Sequence, residues 1–228
     1  MTKNIIGIIP ARGGSKGIPR KNIINFCGKP LLSWTIEHAK KSDSIRNVYV
    51  STDDNEISDI SFQYGANVIR RPPEIAGDTA SSESALIHAL NEIEKKEKKV
   101  DLIVFYQATS PLRQPFDTDK AVDLFYQENA DSLFSATTLD DFTIWGERDG
   151  ILQSINFDYK NRGRRQDRKP NFLENGSLYI FTPEVLRKEN NRIGGKISIY
   201  IMPFWQSYEI DSYEEIELCE YYMKKCLL

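Results

Sequence analysis

Short apolar runs alternate with amphipathic segments through the first 140 residues, and this alternation constrains the fold most strongly. The first run, Ile5-Ile6-Gly7-Ile8-Ile9, is rich in β-branched residues and stops at Pro10, which favours a strand buried on both faces. Further runs of this kind lie at 48–52, 67–69, 102–106 and 132–137. Segments with helical periodicity lie between them, at 31–42, 55–64, 82–98 and 118–128. The pattern predicts the α/β class, with a mostly parallel sheet and helices on both faces.

The alternation of this Rossmann-like half breaks down after about Asp140. Residues 144–157 predict a β-hairpin that turns at Asp149-Gly150, and a strongly basic stretch follows to residue 171. The remaining predicted elements are strands at 177–181 and 197–202 and a helix at 212–228. No repeat or linker divides the chain. We therefore predict a single domain over residues 1–228, with approximately 144–171 as a small projecting β-rich arm.

The charge balance excludes several classes of protein. Lys and Arg total 30 against 33 for Asp and Glu, a formal net charge of −3, which is too even for nucleic-acid binding through bulk positive charge. No apolar run approaches the roughly 18 residues of a membrane span. Cys27, Cys219 and Cys226 are too few and too scattered for a disulfide framework or a zinc site. We expect a soluble protein of a reducing cytoplasm, with neither nucleic acid nor membrane as a partner.

Polar segments follow the ends of four predicted strands. They are 11–22, 51–54, 70–82 and 107–113. Ligands of open α/β sheets bind at the carboxyl ends of the strands, so these segments predict the site.

The most informative of these segments is the basic glycine loop, residues 11–22. Three glycines allow its backbone N–H groups to point into one concavity, which suits phosphate oxygens. The loop also carries Arg12, Lys16, Arg20 and Lys21, cations that would repel one another without an anionic ligand. It fits neither the Walker A pattern nor G-x-G-x-x-G. The alternative is a solvated basic surface loop.

The stretch from Ile9 to Asn22, Ile-Pro-Ala-Arg-Gly-Gly-Ser-Lys-Gly-Ile-Pro-Arg-Lys-Asn, resembles the signature of the acylneuraminate cytidylyltransferases, or CMP-sialic acid synthetases. Other segments resemble that family's motifs in the same order along the chain. They are Ser51-Thr52-Asp53, residues 71–82, Gln107-Ala108-Thr109-Ser110-Pro111-Leu112-Arg113, Glu174-Asn175-Gly176-Ser177-Leu178-Tyr179 and Tyr208-Glu209-Ile210-Asp211. Together they span nearly the whole chain.

The resemblance implies a reaction in which CTP and a nine-carbon 2-keto sugar acid give the CMP-sugar and pyrophosphate, for cell-surface glycan biosynthesis. The anomeric hydroxyl of the sugar attacks the α-phosphate. The resemblance also implies a homodimer, joined through the arm, and Mg²⁺ as cofactor.

By the same resemblance, the nucleotide is bound by residues of the loop and of the 71–82 segment. These are Ala11, Arg12, Gly13, Ser15, Asn22, Arg71, Ala80 and Ser82. The catalytic residues are Arg12, Lys16, Lys21 and Asp211, the positive ones stabilising charge as pyrophosphate leaves. The alternative for Ser82 is the N-cap of the following helix, a role compatible with binding.

Glu209 and Asp211 are the implied magnesium ligands. Two carboxylates at i, i+2 of an extended segment point to the same face, and magnesium prefers one or two carboxylates plus phosphates and water. The family more often carries aspartate at the first position, so Glu209 is a departure. Asp211 has the alternative role of N-cap of the last helix.

The resemblance assigns the sugar to residues from the second half of the chain. They are Gln107, Arg165, Gln166, Glu174, Asn175 and Tyr179, with the basic Arg164-Arg165-Gln166 stretch meeting the sugar carboxylate from the same or a partner subunit. A solvated loop is the alternative for that stretch. Glu174 and Leu173 differ from some neuraminate enzymes, which points to a relative such as legionaminic or pseudaminic acid.

Two other functions stay open on the sequence. One is a nucleotidyltransferase for another sugar, although those families usually carry an arginine-leucine-proline-glycine variant of the loop that residues 17–22 do not fit. The other is a non-catalytic nucleotide sensor, against which Lys21 and Asp211 argue. We interpret His38 and His88 as ordinary structural or surface residues, since neither has a second ligand nearby in the sequence.

Overall fold

The computed structural model describes residues 3–15, 17–77, 79–96, 99–139, 142–164 and 170–228. The strands are β1 Ile5–Pro10, β2 Asn25–Phe26, β3 Lys29–Pro30, β4 Asn47–Thr52, β5 Asn67–Arg70, β6 Leu102–Tyr106, β7 Ser132–Thr138, β8 Trp145–Arg148, β9 Ile151–Ser154, β10 Phe172–Phe181 and β11 Ile197–Ile201. The helices are α1 Leu31–Lys41, α2 Asn55–Gln63, α3 Ser82–Glu94, α4 Asp117–Gln127, α5 Pro183–Glu189 and α6 Tyr213–Cys226. Among the described residues, no helix has the length and apolarity that a membrane crossing requires.

Seven of the strands form one sheet in the order β11-β7-β10-β6-β1-β4-β5. β10 pairs antiparallel with both of its neighbours, and the other pairs in the sheet are parallel. β1 lies between β4 and β6, with Ile8 opposite Tyr49 and Phe105. The prediction of a mostly parallel α/β sheet is confirmed.

The side chains of β1 explain why helices cover both faces of the sheet. Ile5 and Ile9 belong to a core with residues of α1, α2 and α4. Ile6 and Ile8 point the other way, into a core with residues of α3 and α5. Strand side chains alternate between faces, so this nearly continuous apolar run supplies both cores at once.

The predicted hairpin is confirmed and forms a separate two-stranded sheet. β8 and β9 pair antiparallel, with Arg148 opposite Ile151. The turn between them, Asp149-Gly150, has φ values of 52° and 75°, as an Asp-Gly turn of type I′ requires.

Several elements differ from the sequence-based expectation, among them the short strands β2 and β3, which were not predicted. β10 begins at Phe172 rather than Ser177, because Phe172, Leu173 and Glu174 also pair with β7 before the register shifts. α3 ends at Glu94, four residues early. α5 was not predicted, although Thr182 caps it and Pro183 occupies its first turn, an ordinary helix-start signal.

Both N-cap alternatives from the sequence are wrong by one residue. The α3 N-cap is Ser81, whose hydroxyl accepts a hydrogen bond from the Ser84 amide at 3.1 Å. The α6 N-cap is Ser212, which forms a capping box with Glu215. The side chains of Ser82 and Asp211 are therefore not committed to capping.

Candidate active site

A cleft of about 510 Å³ opens at the carboxyl ends of the parallel strands. It brings together residues from the loop after β1, the start of α3, the end of β6 and the segment before α6. Nine of the predicted site residues line it: Arg12, Ser15, Lys21, Asn22, Arg71, Ala80, Ser82, Gln107 and Asp211.

Lys21 and Asp211 meet in this cleft although 190 positions separate them. The Lys21 Nζ lies 2.5 Å from Asp211 Oδ1. A third apolar core joins Ile18 of the loop to Ile210 and to Cys219 and Met223 of α6, and thereby aligns the two segments. The distance satisfies the condition that a shared metal and phosphate site sets, which is about 10 Å at most.

Gly17 makes this close approach possible. A Cβ built on Gly17 would lie 2.7 Å from the backbone oxygen of Asp211, closer than side-chain carbons come to a backbone. A larger residue at position 17 would push the loop away from Asp211.

Acidic side chains of the protein neutralise part of the repulsion among the cations of the basic glycine loop. Arg20 bonds to Asp54 at 2.5 Å and to Glu56 at 2.6 Å. The hydrogen bond from Arg20 holds the pKa of Asp54 below its usual value. Lys21 has Asp211. The argument that the loop's cations require an anionic ligand is therefore weaker than the sequence suggested, although Arg12 and Lys21 do line the cleft.

Other residues predicted to bind the nucleotide are held in place by contacts at the ends of β1 and β4. The guanidinium of Arg71 is buried and donates to the Ser51 hydroxyl at 3.2 Å and to the Ser51 carbonyl at 2.7 Å. Burial lowers the pKa of Arg71. Ala11 is fully buried, and the Gly13 amide donates to Asp53 Oδ1 at 3.0 Å, so these two residues shape the cleft from outside its lining.

Glu209 lies beside Asp211 and is half-buried. Burial, followed by the Asp211 carboxylate, raises the pKa of Glu209. Among the described residues, no three His, Cys, Asp or Glu side chains are grouped as a metal site. Asp211 lines the cleft, whereas Glu209 does not. A pair of neighbouring carboxylates fits a magnesium site, because magnesium takes one or two carboxylates together with substrate phosphates and water.

The predicted sugar-side residues separate into two groups. Gln107 lines the cleft, and the Tyr179 hydroxyl reaches its Oε1 at 3.5 Å and donates to Glu174 Oε1 at 2.5 Å. Asn175, by contrast, is buried, with its amide oxygen accepting from Ser135 and Ser177, so the structure does not bring it to the cleft. Lys16, Arg165 and Gln166 lie outside the described residues.

Sequence reasoning missed two arginines near the cleft. Arg113 is buried and donates to the carbonyls of Gln107 and Ser177 at 2.7 and 2.5 Å, which ties the two sugar-side motifs together. Burial lowers the pKa of Arg113 to about 10. Arg113 closes a motif quoted above and was detectable. Arg192 lines the cleft from a loop that carries no motif.

Both histidines lie in helices, as predicted. His38 Nε2 lies 3.0 Å from the Thr118 hydroxyl, and burial lowers the pKa of His38 to about 3. A buried, neutral histidine at this position has a structural role.

Gly176→Ala tests whether Glu209 acts in the cleft. Gly176 has φ of 65°, and a Cβ there would overlap Glu209 Oε1 and lie 3.2 Å from Gln107 Oε1. The carboxylate must move, and an alanine at this positive φ adds strain of about 1–2 kcal/mol. We expect the fold to survive with reduced stability while turnover falls by roughly tenfold to a hundredfold. Steady-state kinetics in a Glu209→Ala background provide the control. There the same substitution should change little, and an undiminished effect would contradict the coupling.

A family model described as Cytidylyltransferase matches residues 6–224. Among curated proteins, the N-acylneuraminate cytidylyltransferase of Oncorhynchus mykiss is 38% identical over 92% of this chain and 48% of that protein. The pseudaminic acid cytidylyltransferase of Campylobacter jejuni is 33% identical over 93% of both chains. This chain thus spans about half the length of the fish relative and nearly all of the bacterial one.

A solved structure of CMP:2-keto-3-deoxy-manno-octonic acid synthetase complexed with CTP superposes with a TM-score of 0.73. It is 16% identical, over 99% of this chain and 100% of that one, so the likeness concerns the fold. The family model matches nearly all residues, and the bacterial relative is 33% identical and of similar length. Both findings agree with the set of residues that lines the cleft. The chain belongs to the cytidylyltransferase family.

Proposed function

We propose that the protein is a magnesium-dependent cytidylyltransferase that activates a nine-carbon 2-keto sugar acid with CTP, releasing pyrophosphate. The observation that carries this is the cleft itself, which is lined by Arg12, Lys21, Gln107 and Asp211 from three motifs that are distant in sequence. The names of the relatives from Oncorhynchus mykiss and Campylobacter jejuni agree with it.

The reaction is a substitution at phosphorus. The oxygen of the sugar's anomeric hydroxyl bonds to the α-phosphorus, the bond from that phosphorus to the bridging oxygen breaks, pyrophosphate leaves, and the hydroxyl proton is released. Arg12 and Lys21 stabilise the negative charge that develops on the phosphates. By the family resemblance, Lys16 joins them, and Ser15 and Asn22 contact the phosphates and ribose.

Asp211 and Glu209 would hold the magnesium ion. The bound ion would orient the phosphates and make the attacking hydroxyl more acidic. In the structure Asp211 is paired with Lys21. The Asp211 side chain is 67% exposed, so it is open to ligands from the cleft.

The sugar acid occupies the side of the cleft near Gln107, with Tyr179 and Glu174 behind it. We propose a homodimer in which the arm of residues 144–171 joins the subunits and brings Arg165 and Gln166 toward the sugar carboxylate. Exposed apolar side chains on the arm support this: Trp145, Ile151, Leu152 and Ile155. The free thiols of the three cysteines fit the reducing cytoplasm.

CTP should be preferred over UTP, ATP and GTP. The cytosine would bind against Arg71, Ala80 and Ser82, and a site built for a hydrogen bond rejects the wrong base because its own polar groups stay unpaired. We expect kcat/KM for UTP to be at least about a hundredfold lower. Equal use of CTP and UTP would refute this assignment of the 71–82 segment.

Pyrophosphate release tests the function as a whole. The protein is incubated with Mg²⁺, each of the four nucleoside triphosphates and a panel of neuraminic, legionaminic, pseudaminic and eight-carbon 2-keto acids. Release that needs both CTP and a nine-carbon acid supports the proposal. Release only with the eight-carbon acid indicates a transferase for another sugar, and CTP binding without any release indicates a nucleotide sensor.

A further inference from the structure

Arg192 is a cation in the cleft that lies outside every motif identified in the sequence. It lies between α5 and β11, and its side chain is 22% exposed. It shares the cleft lining with Gln107 and Phe105, so it faces the same space as the proposed substrates.

Aromatic rings and one carboxylate hold the guanidinium of Arg192 in place. Its central carbon lies 4.5 Å from the Tyr179 ring centroid and 5.3 Å from that of Phe105, and these two rings stack on each other. Arg192 Nη1 donates to Glu83 Oε1 at 2.9 Å. A guanidinium fixed in this way loses little conformational freedom when it binds a ligand.

Arg187 offers a comparison, because it also links the α5 region to α3 through an ion pair but lies outside the cleft. Arg187 of α5 pairs with Glu94 at the end of α3 at 2.5 Å, whereas Arg192 pairs with Glu83 at the start of α3. Arg187 lies outside the cleft and Arg192 lines it. Among the described residues, the hydrogen bonds of Arg192 involve Nη1 alone, which leaves donors for a ligand.

The neighbours of Arg192 indicate which substrate it meets. Arg12 and Lys21 supply the charge for the triphosphate, while Arg192 rests on Tyr179, whose hydroxyl reaches Gln107. Glu83 balances the charge of Arg192, so Arg192 acts as a directional hydrogen-bond donor more than as a source of net charge.

We propose that Arg192 is a specificity-determining residue, whose guanidinium donates hydrogen bonds to hydroxyl or acylamino oxygens of the sugar acid. This inference rests on the proposed function. It extends that function by assigning sugar selection to a residue outside the family-like motifs.

The test compares Arg192→Met with the matched control Arg187→Met, and adds Arg192→Lys. KM and kcat are measured for neuraminic, legionaminic and pseudaminic acids at saturating CTP, and for CTP at saturating sugar acid. Binding of each acid to the CTP-loaded protein is followed by saturation-transfer NMR. Thermal unfolding shows whether each variant folds.

For Arg192→Met we expect kcat/KM for the preferred sugar acid to fall by about tenfold to a hundredfold, with KM for CTP within twofold and the preference among acids changed. Arg192→Lys should recover only part of the loss, because an ammonium still donates hydrogen bonds but lacks the planar fork of the guanidinium. Arg187→Met should change neither value.

Equal kinetics for the Arg192→Met and Arg187→Met proteins would overturn the inference, as would equal losses for CTP and sugar acid. Absence of both turnover and sugar-acid binding in the wild-type protein would instead refute the proposed function, and the role of Arg192 with it.

Discussion

Asp211→Ala should abolish turnover while leaving CTP binding measurable. Asp211 lies 2.5 Å from Lys21 and beside Glu209, so its loss removes the carboxylate that the cation and the proposed metal share. The contacts that we propose between CTP and Arg12, Arg71 and the start of α3 do not involve Asp211. Steady-state kinetics for activity and calorimetry for CTP binding measure the two effects separately.

Glu209→Ala should be milder than Asp211→Ala, because a water can take the place of its longer arm. Glu214→Ala is the matched control, since Glu214 is an exposed acid three residues beyond Asp211 in the first turn of α6. It should behave as wild type. Turnover of Asp211→Ala within tenfold of wild type would contradict the role of Asp211.

Lys21→Ala should lower kcat by on the order of a hundredfold or more, as does the loss of one donor from a preorganised oxyanion site. The fold should survive, because the Asp211 carboxylate left behind is largely exposed and water can solvate it. Kinetics together with an unchanged circular dichroism spectrum test both parts.

Lys29→Ala is a close control for that experiment. Lys29 also lies 2.5 Å from a carboxylate, that of Glu37, and the side chains of Lys29 and Lys21 are 18% and 16% exposed. Lys29 does not line the cleft, so its loss should leave turnover nearly unchanged. Near-normal turnover of Lys21→Ala, or an equal loss of turnover for Lys21→Ala and Lys29→Ala, would rule out the proposed role of Lys21 in stabilising phosphate charge.

Local sequence patterns predict much of the sheet. The runs Ile5–Ile9 and Leu102–Tyr106 are continuous and apolar because helices cover both faces, and the strands there agree within one residue. The site followed from the same logic, since polar segments after Pro10 and Tyr106 had to meet at one edge.

Long-range packing decided what the sequence left open. The contact between Lys21 and Asp211 depends on a core that joins Ile18 to Ile210, which no local pattern shows. Asn175 matched a motif, yet its amide is used by Ser135 and Ser177 inside the sheet. Arg192 reaches the cleft through its partner Glu83 and the Tyr179 ring, contacts that only the folded chain creates.

Mass spectrometry of the product tests the central claim most directly. The wild-type protein, CTP, Mg²⁺ and each nine-carbon 2-keto acid are incubated together, with pyrophosphate quantified in the same samples. The account predicts, for at least one acid, a product with the mass of CMP plus the acid minus water, and one pyrophosphate per product. Pyrophosphate with free CMP, or no such product from a protein shown to bind CTP, would contradict it.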